Sequence, residues 1–212
     1  MLRSGSMRLA CLAVAVAIAA PVAAADLIAG PAAADTAIED AVVTATEDYD
    51  RGDFFSEVRL GAAFWALDGR ERIHEDGVFI QAQVFLNPVL RPFDNFFADV
   101  LLRPRPHLGT SISTAGETNQ VFAGVTWTLP VGKILFLEAN FGATLHDRGL
   151  DEDFEDGAQL GCHLLFREGA GVGVNLGPRW SIVASVDHSS NAGLCEDNDG
   201  LTHAGTSVGY RF

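Results

Sequence analysis

Near the end of the chain a histidine and a serine stand two residues apart, in Asp187-His188-Ser189-Ser190-Asn191-Ala192-Gly193-Leu194. Imidazole is a base that works near neutral pH, and a serine hydroxyl needs such a base to become a nucleophile. On a β-strand, side chains alternate between two faces, so His188 and Ser190 point the same way. Their face runs back through Val186, Ala184, Ile182 and Trp180, all apolar. The opposite face reads Asp187, Ser185 and Ser181, with Val183 the one apolar member. A base and a nucleophile thus crown an apolar strand face, and if that face meets lipid the site is aimed at the membrane.

The elements that must position this pair are strands. From Ser56, apolar and polar residues alternate in eight segments of about ten residues, the length of a tilted membrane strand. The segments are 56–66, 78–87, 105–113, 120–129, 134–145, 159–167, 179–190 and 203–212. Val58, Leu60, Ala62 and Phe64 share one face of the first, and Val121, Ala123, Val125, Trp127 and Leu129 one face of the fourth. The other faces carry Glu57, Arg59, Gln81, Gln83, Glu138, His163, Arg167, Asp187 and Arg211, a set that can line a small lumen. The expected fold is all-β: an eight-stranded antiparallel transmembrane barrel of the outer-membrane kind, filled by side chains. The terminal Phe212, preceded by alternating aromatics, has the character of a C-terminal outer-membrane barrel signature.

Bulk composition narrows the partners. The chain has 212 residues, with 28 Asp and Glu against 14 Lys and Arg. That balance excludes nucleic acid, which needs a basic footprint, and disfavours simple attraction to anionic lipid. Arg3 and Arg8 precede an apolar run from Leu9 to Ala20, and Ala23-Ala24-Ala25 supplies small residues for cleavage. Residues 1–25 read as a signal peptide, 26–55 as a poorly ordered acidic segment and 56–212 as the barrel. A second cleavage candidate is Ala32-Ala33-Ala34. Cys11 lies in the leader, in a poor lipobox, which leaves Cys162 and Cys195 in the exported chain.

An even strand count puts both termini on the periplasmic side. The connections holding Asp68-Gly69-Arg70-Glu71, Thr114 to Glu117, Asp147 to Asp156 and Asn191 to Thr202 are then extracellular. His188, Ser190, Cys162 and Cys195 fall at that end, and an oxidising compartment makes a Cys162–Cys195 disulfide feasible. The connection 88–104 is long for a periplasmic turn, and Phe96 to Leu102 within it suits a short helix.

With these residues in place, the sequence resembles the lipid A 3-O-deacylase (PagL-type) family of outer-membrane esterases. The resemblance rests on His188-x-Ser190-Asn191-Ala192-Gly193-Leu194, on Asn198-x-Gly200, and on Arg103-Pro104-Arg105-Pro106-His107-Leu108-Gly109. It implies hydrolysis of an ester-linked acyl chain of lipid A in the outer leaflet of the outer membrane. It makes Ser190 the nucleophile, His188 its general base, and the backbone around Asn191, Ala192 and Gly193, with Asn198, the oxyanion and substrate contacts. The chain departs from the family pattern at one place. Where relatives carry a glutamate to orient the histidine, this chain has Thr202, on the same strand face as that glutamate. Asp199, Glu196 or Asp197 in the same loop are substitutes for the missing acid. Implied partners are lipid A and the outer membrane, with homodimerisation left open. No cofactor and no metal is expected. The alternative reading is a non-enzymatic or catalytically decayed barrel with a structural or lipopolysaccharide-contact role.

Other residues read more plainly. Asp151, Glu152, Asp153, Glu155 and Asp156 match no calcium loop and read as a solvated acidic loop. His74, His107, His146, His163 and His203 lack metal-ligand spacing, and His107 and His163 read as lumen residues. Trp127 and Trp180 suit an interfacial belt, while Trp65 has inward parity.

Overall fold

The computed structural model describes residues 54–65, 75–150 and 158–212. The expected leader, nearly all of the acidic segment before the barrel, the Asp68–Glu71 connection, His74 and the acids Asp151 to Asp156 lie outside the described residues, as does the side chain of Trp65.

Eight strands form a closed barrel in which each pairs with its neighbours in sequence. They are β1 (Phe55–Trp65), β2 (Phe79–Leu86), β3 (Arg105–Ser113), β4 (Gln120–Val131), β5 (Leu135–His146), β6 (Leu164–Asn175), β7 (Trp180–Ser190) and β8 (Leu201–Arg211). Every pairing is antiparallel, including β1 with β8, which closes the cylinder. Closure leaves no unpaired sheet edge, which is what hydrocarbon demands of a spanning sheet.

The alternation sorts the side chains as period 2 requires. Outward positions stay bare: Leu60 is 63% exposed, Leu108 58% and Leu145 55%. Inward positions are sealed, with Phe79, Phe85, Phe122 and Phe136 all buried. An apolar skin over a polar interior inverts a water-soluble barrel and fits a lipid solvent. Inside, Arg59 pairs with Glu57 and Glu138 at 2.6 Å each. Arg105 reaches the same two carboxylates at 2.7 and 3.0 Å. Further along, Arg167 pairs with Asp187 at 3.3 Å and lies over the Phe122 ring at 4.0 Å. These groups plug the lumen. His107 is among them, buried, with its Nδ1 2.9 Å from the Thr126 hydroxyl.

The sixth strand departs from the expected 159–167. It begins at Leu164 and runs to Asn175, so Gln159, Gly161 and Cys162 belong to the preceding loop. His163 is exposed in that loop and not in the lumen; its Nδ1 lies 3.2 Å from the His146 carbonyl. The physical reason is twofold. Leu160 is buried with Ala158, Leu165 and Leu201 in a small apolar cluster under the loop, which an extended strand would not permit. Gly169, Gly171 and Gly173, beyond the expected end of the segment, are inward positions of the strand. A side chain at Gly173 would collide with the Phe136 ring that fills the lumen there.

The stretch Phe96–Leu102 forms helix α1. The Asn95 side chain caps it by accepting from the Ala98 N–H at 3.0 Å. The Trp127 indole N–H donates to the Leu101 carbonyl at 3.0 Å, fastening the helix end to β4. It sits at the end of the barrel remote from His188.

Candidate active site

His188 and Ser190 are at the loop end of β7, facing outwards as the alternation requires. Their neighbours follow from register. His188 stands opposite Thr202 of β8 on one side and Glu168 of β6 on the other. Ser190 stands opposite Phe166, whose ring stacks on Phe141 with centroids 6.3 Å apart. The outer face therefore carries a row of Glu168, His188 and Thr202, with an apolar shelf beside the serine.

The His188 Nδ1 lies 2.8 Å from the Thr202 hydroxyl. Asp199 is turned elsewhere: its carboxylate accepts from the Gln159 N–H at 2.9 Å. Glu196 is exposed. Among the described residues, none of the three loop acids hydrogen-bonds His188, and His188 and Ser190 are not hydrogen-bonded to each other. Asp187 points into the lumen against Arg167, away from the imidazole.

The loop after Ser190 is a tight turn. Ala192 and Gly193 both adopt left-handed backbone, with φ of 57° and 79°. The Leu194 N–H closes the turn onto the Asn191 carbonyl at 3.1 Å. Two successive positive φ angles are the type I′ pattern. Glycine adopts this freely, whereas alanine is strained there by about 1–2 kcal/mol.

The oxyanion candidates divide. The Gly193 N–H donates to Asn191 Oδ1 at 2.8 Å, and Asn191 Nδ2 donates to the carbonyls of Leu160 and Asp197. Asn191 is buried and holds the loop together. The Asn191 N–H donates to Asn198 Oδ1 at 2.8 Å, which fixes which end of that amide is oxygen and leaves Asn198 Nδ2 as a donor. Among the described residues, the Ala192 N–H also has no partner.

The whole loop is stitched to residues 158–163. The Asp199 N–H donates to the Gln159 carbonyl at 3.0 Å, returning the bond from Gln159 to the Asp199 side chain. Cys162 and Cys195 are disulfide-bonded, with Cα atoms 6.1 Å apart. Gly200 (φ 74°) lies against the imidazole, where a Cβ would sit 2.8 Å from His188 Cε1.

Reasoning from sequence missed two residues here. Glu168 fell beyond the expected end of strand six, although Leu164, Phe166, Glu168, Ala170, Val172 and Val174 continue its alternation. Gly200 entered only as part of a motif, and its packing on the imidazole has no sequence signal.

A closed, plugged eight-stranded barrel with an apolar skin defines a class, the small outer-membrane barrels, and this one gathers polar side chains on its skin at the end of β7. The family model for lipid A 3-O-deacylase (PagL) matches residues 106–211, half of the chain, and the chain belongs to that family. Among solved structures, the outer membrane enzyme PagL matches with a TM-score of 0.52 at 16% identity, covering 73% of this chain and 98% of that one. The N-terminal β-barrel domain of Pseudomonas aeruginosa OprF matches with a TM-score of 0.50 at 12% identity, covering 76% and 100%. At such identities the likeness is one of fold. A comparison with curated proteins returns no significant match.

Proposed function

We propose that this barrel is a serine esterase that removes the 3-O-linked acyl chain from lipid A in the outer leaflet. His188 Nε2 takes the proton from Ser190 Oγ as the oxygen attacks the ester carbonyl carbon. The negative oxygen that forms is met by the Ala192 N–H and Asn198 Nδ2. Collapse breaks the ester C–O bond; the sugar hydroxyl leaves with the proton from His188, and the acyl group stays on Ser190. Water, deprotonated by the same imidazole, then releases the fatty acid.

One observation carries this reading: the Nδ1 of His188 is held by Thr202 at 2.8 Å on the face that Ser190 shares. If Nδ1–H donates to the threonine oxygen, Nε2 is left unprotonated as the base. A neutral hydroxyl thus does the orienting part of a triad acid's task, though not the charge-stabilising part. The open His188–Ser190 geometry is compatible with this role, because catalytic hydrogen bonds tighten when substrate binds. Phe166, Phe141 and Val186 offer an apolar surface for the acyl chain beside the serine.

The test is labelling with a long-chain alkylphosphonate ester in detergent micelles, followed by peptide mass spectrometry. The wild type takes the phosphonate at Ser190, and His188→Asn and Ser190→Ala take none. A wild type that stays unlabelled, or a His188→Asn variant labelled at the wild-type rate, overturns the assignment and favours a non-enzymatic barrel.

A further inference from the structure

Among the described residues, the outward positions of all eight strands hold one carboxylate, Glu168. A charged group on the lipid face of a barrel is destabilising, and an ionisable residue at membrane depth calls for a named partner. Glu168 has no ion pair and no hydrogen bond among the described residues. Its cross-strand partners are Phe141 on one side and His188 on the other. Directly opposed antiparallel residues have Cβ atoms about 4.5–5.5 Å apart. The one acid on the skin therefore stands beside the one imidazole on the skin.

We infer that Glu168 is the carboxylate that stabilises positive charge on His188, relocated from β8 to β6. In this barrel the two tasks of a triad acid are divided between neighbouring strands. Thr202 fixes the ring from one side, and Glu168 supplies the negative charge from the other. Glu168 is a positioning and charge partner, not a group that touches substrate. Its catalytic consequence rests on the esterase reading above.

The surroundings support the assignment. No second charged side chain faces His188 from β7, where the same face continues as Val186 and Ile182. From β8 the facing group is Thr202, which does not ionise in this range. In the adjoining loop, Asp199 is bonded to Gln159, Glu196 is exposed, and Asp197 lends its carbonyl to Asn191. An apolar, lipid-facing setting strengthens a charge pair relative to water.

The test compares wild type with Glu168→Gln, Glu168→Asp and the double variant Glu168→Gln/Thr202→Glu. Turnover on lipopolysaccharide in micelles is measured beside histidine NMR titration, with the His188 signal assigned by loss in His188→Asn. Glu168→Gln is expected to lower kcat roughly a hundredfold with little change in KM, the effect of one unit charge about 6 Å away at an effective dielectric near 20. Glu168→Asp restores part of it. The double variant restores most of it, because the acid returns from the β8 side. In the same Gln variant, His188 takes up its proton only at lower pH than in wild type.

A Glu168→Gln variant with wild-type kcat and an unmoved His188 titration overturns the inference. If the wild type itself turns over no lipid A, the esterase reading fails by that result. The titration alone then decides Glu168: a shift sustains the pairing, and its absence overturns it.

Discussion

Gly200 shows how closely single residues define this site. Its backbone is left-handed, and an added Cβ would run into the imidazole of His188. Gly200→Ala would both strain the backbone and displace the ring. A misplacement of 1 Å can cost on the order of a hundredfold in rate. The variant is expected to lose about that much turnover while still inserting as a barrel, checked by assay beside heat-modifiable gel migration. Thr202 is the complementary case. Thr202→Val removes the hydroxyl that holds Nδ1 and is expected to lower kcat by about tenfold, the worth of one neutral hydrogen bond. Ala192→Gly relieves a strained turn and is expected to gain up to ~1 kcal/mol of stability with activity retained, read from urea unfolding in detergent. The sequence announced His188 and Ser190 because two-residue spacing on a strand is readable without coordinates. It could not say which neighbour holds the imidazole. Thr202 and the loop acids Asp199, Glu196 and Asp197 are all close in sequence, and the choice between them depends on how the loop folds.

At the scale of elements, the loop between β7 and β8 is not self-supporting. It is stitched to residues 158–163 by the Asp199–Gln159 bonds, by the amide of Asn191 and by the Cys162–Cys195 disulfide, which closes a span of 33 residues. Closing a loop of that length removes chain entropy worth about 4 kcal/mol in the simple model. Replacing both cysteines by serine is therefore expected to loosen this loop first, with faster amide exchange over 191–200 and reduced turnover, while strand exchange stays slow. Uniform exchange changes around the barrel would contradict this. The same element explains the misplaced start of the sixth strand. Leu160, Cys162 and Leu164 alternate correctly, so periodicity alone extends the strand backwards into a segment that is really docked on the β7–β8 loop. Beyond residue 167 the inward positions are glycines, and Gly169 and Gly173 leave room for Asp187 and the lumen-filling Phe136 of other strands.

The whole molecule is a lipid-facing cylinder around a salt-bridged plug. That much was legible from alternation: Glu57, Arg59, Glu138, Arg167 and Asp187 all occupy the inward parity, and Leu60, Leu108 and Leu145 the outward one. Three-dimensional pairing inside the plug was not, since Arg59 and Glu138 are 79 residues apart. Breaking a buried pair is worse than never having it, because it strands the remaining charge. Arg59→Leu leaves Glu138 to Arg105, and Glu57 to Arg105 and the more distant Arg211, and is expected to destabilise the barrel by about 3 kcal/mol, measured by denaturant unfolding in detergent or bilayers. The central claim, an esterase on the outer wall of the barrel, is tested most directly by mass spectrometry of lipid A from cells expressing the wild type or Ser190→Ala. The account predicts loss of one 3-O-linked acyl chain with the wild type and unmodified lipid A with Ser190→Ala at equal insertion. Unmodified lipid A with a correctly inserted wild type, or equal deacylation by both proteins, would contradict it.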